Sequence, residues 1–205
     1  MTTNEQFLMA ALPEPVVLLG QRLEAYSVGH ELLLQRYKSP FLMGPEMPKG
    51  DGVEDHLWMA VFICAQRFEE AQAELRHPGL PQKVLQWKKA VGWMSPILLA
   101  EKIRLFMEYV DAGSQAPNVR VLGKARMNNP GSPWLAWLVT VLCSRLHFSF
   151  SEAMNCPYGL AQWLFCTWWE RERALVIRAE DDEGERINLH LAAKAKGLEL
   201  VTWRN

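Results

Sequence analysis

Residues 146–172 confine this chain to a helical solution more tightly than any other stretch. Ser149 and Glu152 stand in capping-box spacing, so a short helical turn is expected over 150–154. Asn155 then reads as the cap of a second helix with Pro157 in its first turn. On a 100° wheel Leu160, Ala161, Leu164, Phe165, Trp168 and Trp169 fall on one half, which predicts a single buried face. Trp163 and Cys166 fall on the other half beside Gln162, Glu170 and Arg173. A tryptophan there either meets a second layer of the fold or marks a contact surface, and both residues are therefore candidates for binding a protein partner.

The remaining chain carries the same period. Asn4 can cap a first turn or two ended by Pro13, and residues 15–26 suit a small β-hairpin turning at Gly20-Gln21. Ser27 reads as the N-cap of a helix over 28–38, with His30 and Glu31 in its first turns and Leu32, Leu33 and Tyr37 on its buried side. A loop rich in Pro and Gly follows over 41–52. Residues 54–65 form a helix apolar on every side, Trp58 included, and such a helix is either central or shared with a partner. A polar helix over 67–76 comes next. A helix opened by Pro81 then turns Lys83, Lys88 and Lys89 outward. In the helix opened by Pro96, Leu99, Ile103, Phe106 and Val110 recur at helical spacing.

Residues 113–133 hold Gly, Pro, Asn and Ser throughout and read as a flexible loop, either a linker or an arm ordered by a partner. Arg120, Val121 and Leu122 are its candidate contact residues. Ser132-Pro133 opens a helix through about 146, too short to span a bilayer of about 30 Å. Residues 174–178 are β-prone, and a last helix is expected over 186–196.

The expected fold is mainly α, an irregular multi-helix bundle with a small N-terminal β-hairpin. At 205 residues and 49% hydrophobic content the chain suits a single domain over 1–205. Lys+Arg of 22 against Asp+Glu of 23 lacks the footprint of a DNA-wrapping protein or of one that rides a membrane surface. Four cysteines without a C-x-x-C pair fit a reducing cytoplasm, and the N-terminus has no signal-peptide pattern. Cys143 and His147 are the one pair with metal-ligand spacing, short of a site, so no metal or other cofactor is expected. Nucleophile-elbow, P-loop and dinucleotide fingerprints are absent, and the expectation is a protein without enzymatic activity.

Several segments together resemble the tail assembly chaperones of tailed phages and prophages. They are the run Val16-Val-Leu-Leu19, then Tyr26-Ser-Val-Gly-His30 opening a leucine-rich helix that ends in Ser39-Pro40-Phe41. Ile63-Cys64 with Phe68-Glu-Glu70 follows, then Phe148-Ser-Phe-Ser-Glu-Ala153, Pro157 and an aromatic helix ending in Trp169-Glu170. The resemblance covers roughly half of the chain. It implies a helical, non-enzymatic protein of the bacterial host cytoplasm that binds a tape-measure or tail-tube client before assembly; whether it also forms a homo-oligomer is left open by the sequence. A structural virion component, such as a head-tail connector or minor tail protein, is the alternative. A nucleic-acid-associated protein using Lys83, Lys88, Lys89, Arg120, Lys124 and Arg126 ranks behind both.

Overall fold

The computed structural model describes residues 3–42, 46–50, 52–121, 132–172 and 175–178. Among these the chain is mostly helical with a two-stranded antiparallel hairpin near its N-terminus, as expected. The elements are α1 (Thr3–Ala11), β1 (Val17–Leu18), β2 (Gln21–Arg22), α2 (Val28–Arg36), a 3-10 turn (Pro40–Leu42), α3 (Val53–Cys64), α4 (Phe68–Glu74), α5 (Leu80–Val91) and α6 (Pro96–Gly113). Then come β3 (Asn118–Val121), α7 (Trp134–Arg145), α8 (Phe150–Asn155), α9 (Tyr158–Arg171) and β4 (Leu175–Arg178).

The all-round apolar helix is the central one. Leu57, Trp58, Ala60, Val61, Ile63 and Cys64 of α3 are all buried, and α2, α4, α5 and α6 pack around it. The six side chains remove enough apolar surface from water to stabilise the fold by roughly 1.5–3 kcal/mol for each large one. On the far side of α2 lie α7 and α8, and α9 lies between α7 and α1. None of the described helices is long and apolar enough to cross a membrane.

Local chemistry explains the helix ends. The predicted capping box of Ser149 with Glu152 forms, and the predicted cap Ser27 forms a second one, with His30 in the position usually held by Glu or Gln. Asn155 behaves differently from expectation. It is the last residue of α8, and its Oδ1 accepts the Phe68 backbone N–H at 3.0 Å, capping α4 from another helix because Arg67 supplies no cap of its own. Glu69 accepts from Ser151 Oγ (2.6 Å) and Asn155 Nδ2 (2.9 Å) at the same junction, and these bonds, Ser151 first, hold its carboxyl below the usual range.

The hairpin turns one residue earlier than expected, at Leu19-Gly20, both with positive φ. A leucine in that region is strained. Its position is held because the side chain is buried and its carbonyl accepts the Trp87 indole N–H at 2.9 Å. The expected flexible loop is partly a ribbon: β3 pairs antiparallel with β4, Val119 opposite Ile177. The two strands lie far apart in sequence, and only the β-prone run at 174–178 hinted at either of them. The expected helix over 186–196 lies outside the described residues.

Gly29 sets the distance between α2 and α4. A Cβ built there would stand 2.6 Å from Phe68 Cδ2 and 2.8 Å from its Cβ, and Phe68 is buried. Gly29→Ala gains up to about 1 kcal/mol of helix propensity, but the clash outweighs it, with overpacking costing about 1–3 kcal/mol. Urea unfolding is expected to show a lower midpoint with an unchanged slope.

Candidate functional site

The chemistry-bearing side chains converge where α2, α6 and α9 begin or end. Tyr26, one residue before the Ser27 cap, is buried, and its hydroxyl donates to Glu31 Oε2. Gln35 Nε2 donates to the other oxygen, Oε1, at 2.7 Å. The Tyr26 ring packs edge-on against Tyr109 and Tyr158, and its backbone carbonyl accepts the Tyr158 N–H at 2.7 Å. Tyr109 in turn donates its hydroxyl to the Glu24 carbonyl at 2.8 Å. A Cβ on Gly113 would meet Tyr26 Cβ at 2.4 Å, so α6 can end against this ring only with a glycine.

His30 is committed on both sides. Its Nδ1 accepts the Ser27 backbone N–H at 3.2 Å, which places the proton on Nε2, 2.8 Å from the Gln66 carbonyl that accepts it. Burial lowers its pKa below the usual 6.5, more than the Gln66 and Ala25 carbonyls raise it. Burial first, then the Glu31 charge, pushes the Tyr26 phenol far up, and burial likewise raises the Cys64 thiol. Each of these groups is held in its neutral form and already spends its hydrogen bonds on the fold.

Two grooves open on either side of this cluster. One, of about 600 Å³, lies between α2, α7 and α8; Leu32, Trp134, Leu135, Val139, Phe150 and Met154 line it, with Gln35 the one polar side chain. Phe150 is 60% exposed and Leu32 40%. The other, of about 770 Å³, lies between α2, the 3-10 turn, α6 and the start of α9, and carries Glu31, Glu108 and Asp111. They share a boundary: Gln35 lines the first and donates to Glu31 of the second, while Trp134 Nε1 of the first donates to Tyr158 Oη of the second at 3.1 Å.

The residues singled out in the sequence fall elsewhere. Trp163 is 5% exposed, because α1 lies on the half of α9 that a single-face wheel leaves to solvent, and Phe7 meets its ring edge-on at 5.7 Å. Leu160, Leu164, Trp168 and Trp169 are only partly buried, so the helix is covered on two sides rather than one. Cys166 is buried too, and that burial, with Glu170 second, pushes its thiol up to about 12. Trp58 is inside the core, its N–H on Glu54 Oε1 at 3.1 Å and its ring against Trp87. Arg120 and Val121 lie on β3, and Leu122 is outside the described residues.

Leu32 and Tyr37, read as buried, are exposed. Lys83 and Lys88 pair with Glu74 and Asp55 instead of standing free for phosphate. Trp93, 84% exposed between α5 and α6, escaped the reading because it belongs to no helical stripe; its one signal is a large aromatic wedged between Gly92 and the Ser95-Pro96 cap. Among the described residues no three His, Cys, Asp or Glu side chains converge to hold a metal ion.

Among the described residues the fold is that of a helical protein carrying an apolar groove and an acidic groove side by side. Neither a protein-family model, nor a curated protein sequence, nor a solved structure matches the chain.

Tyr26→Phe leaves a buried Glu31 oxygen without its donor, which costs about 1–3 kcal/mol in urea unfolding. His30 contributes a pH dependence of opposite sense to a salt-bridged histidine. Its folded pKa lies below the unfolded 6.5, so the unfolded chain binds more protons there. Stability is therefore full above that value and falls as pH drops through it, by at most about 1.4 kcal/mol per pH unit. Unfolding free energies at about pH 7.5 and 5.5 measure the slope, and His30→Gln is expected to flatten it.

Proposed function

We propose that this protein is a non-enzymatic chaperone of the phage tail assembly type, and that it holds an amphipathic helical segment of a tape-measure or tail-tube client in the groove between α2, α7 and α8. The observation that carries this reading is the groove's lining. Among the described residues it contains no charged one, and three large apolar side chains, Leu32, Trp134 and Phe150, stand open to solvent along it. A void of about 600 Å³ accepts the two or three apolar anchors that a helix presents at i, i+3/i+4 and i+7. Gln35 and the Trp134 indole are positioned by their bonds to Glu31 and Tyr158, so the groove is preformed rather than assembled on binding.

Further support comes from the commitment of the buried polar groups. His30, Tyr26 and Tyr109 hold the fold, and the raised thiols of Cys64 and Cys166 are poor nucleophiles. The resemblance of Tyr26-Ser-Val-Gly-His30 and Phe148-Ser-Phe-Ser-Glu-Ala153 to tail assembly chaperones gives the client class.

The test is co-expression with the tape-measure and tail-tube proteins encoded in the same genome. Leu32→Glu and Phe150→Ser remove exposed apolar contacts, so they are expected to weaken client capture at least about tenfold. The same changes leave stability within about 0.5 kcal/mol. Trp163→Ala, by contrast, is expected to lose about 3–5 kcal/mol of stability. Capture that persists in the Leu32/Phe150 double variant sinks the groove assignment, and presence of the protein in purified virions favours a structural component instead.

A further inference from the structure

The turn between α5 and α6 displays its largest apolar side chains instead of burying them. Trp93 and Ile97 are 84% and 83% exposed, more than any other large apolar side chain among the described residues. The turn itself is firmly held. Gly92 closes α5 at φ +89° with its N–H on the Lys88 carbonyl at 3.0 Å, and Met94 is buried. Ser95 Oγ then accepts the Leu98 N–H at 3.3 Å, capping α6 with Pro96 in its first turn. A tryptophan fixed between two anchored points loses little freedom on being covered, which favours association there. Leu85, Val91 and Leu98 are exposed on the two helices that the turn joins. The five side chains offer roughly 500–600 Å² of apolar surface per copy, a tryptophan alone carrying about 150–250 Å². Charges stand on both flanks. Lys89, exposed in the last turn of α5, has no carboxylate within ion-pair distance among the described residues. Glu101, one turn beyond Ile97 on the same face of α6, has only the adjacent Lys102 at 3.6 Å.

We propose that this surface takes a second copy of the same chain in a two-fold interface. Doubling the apolar patch gives about 1,000–1,200 Å², the least that a specific interface buries. An isologous contact sets each patch against itself. Trp93 of each copy covers Ile97 of the other, and Lys89 of each copy meets Glu101 of the other across the axis. The flanking charges decide the occupant. One of each sign is self-complementary under a two-fold rotation, whereas a layer of anionic lipid headgroups would repel Glu101 and finds Lys83 and Lys88 already paired with Glu74 and Asp55. A formal net charge of -1 leaves little repulsion between the copies. The inference is independent of what fills either groove.

Sedimentation velocity of the full chain over a dilution series tests it, and a monomer–dimer equilibrium is the expected result. Trp93→Ala and Ile97→Asp change exposed positions, so both variants fold, and each is expected to shift the equilibrium at least tenfold toward monomer. Lys89→Glu and Glu101→Lys should each weaken the dimer severalfold. An equimolar mixture of those two variants recovers it, because every charge pair between the copies is again of opposite sign. A chain that stays monomeric at every concentration, or a dimer indifferent to Trp93→Ala and Ile97→Asp, overturns the proposal. A mixture that associates no better than either single variant overturns it as well. Trp93-dependent pelleting of a monomeric chain with phosphatidylglycerol vesicles also overturns it and assigns the turn to a lipid surface.

Discussion

The phenol of Tyr26 and the carboxyl of Glu31 meet inside the protein, and the arrangement of the helices depends on that meeting. Tyr26 sits just ahead of the cap of α2, so fixing its ring fixes where α2 begins. The same residue's carbonyl receives the first N–H of α9, Val28 N–H reaches the Cys156 carbonyl, and the end of α6 rests on the ring at Gly113. Three helices separated by long stretches of sequence are thus referred to one side chain. The burial that raises the Tyr26 phenol also makes it a dependable donor, because it holds the proton beyond the ordinary tyrosine range.

Regular elements were legible wherever one principle acted alone. The i, i+3, i+7 spacing of Ile103, Phe106 and Val110 placed the buried face of α6, and Ser149 with Glu152 placed the start of α8. Misreadings arose where a second layer or a remote partner intervened. A helical wheel reports which residues share a face but not how many faces are covered, and α1 covers the face of α9 that carries Trp163. Asn155 had the right chemistry for a cap, and the helix it caps is α4, brought to it only by tertiary folding. The pairing of β3 with β4 likewise joins segments that no local pattern connects.

The site was less legible than the fold for the same reason. A sequence can name Leu32, Trp134 and Phe150 as apolar, and it favours burying all three. That they stand open along one groove follows from the spacing of α2, α7 and α8, which is a property of the packed core. Glu31 shows in the sequence only as a residue of the first turns of its helix, whereas the approach of α6 and α9 encloses it. The sequence places His30 only in the first turns of the helix, and its ring is the reciprocal half of the Ser27 cap.

The boundary between the grooves has a thermodynamic meaning of its own. Gln35 and Trp134 each present an apolar or amide surface to one groove and hand their polar hydrogen to the other, at Glu31 and Tyr158. An occupant of the apolar groove that turns either side chain withdraws a donor from the acidic one. Linkage would make such an exchange symmetrical, since whatever a change on one side of the boundary does to the other is returned in equal measure.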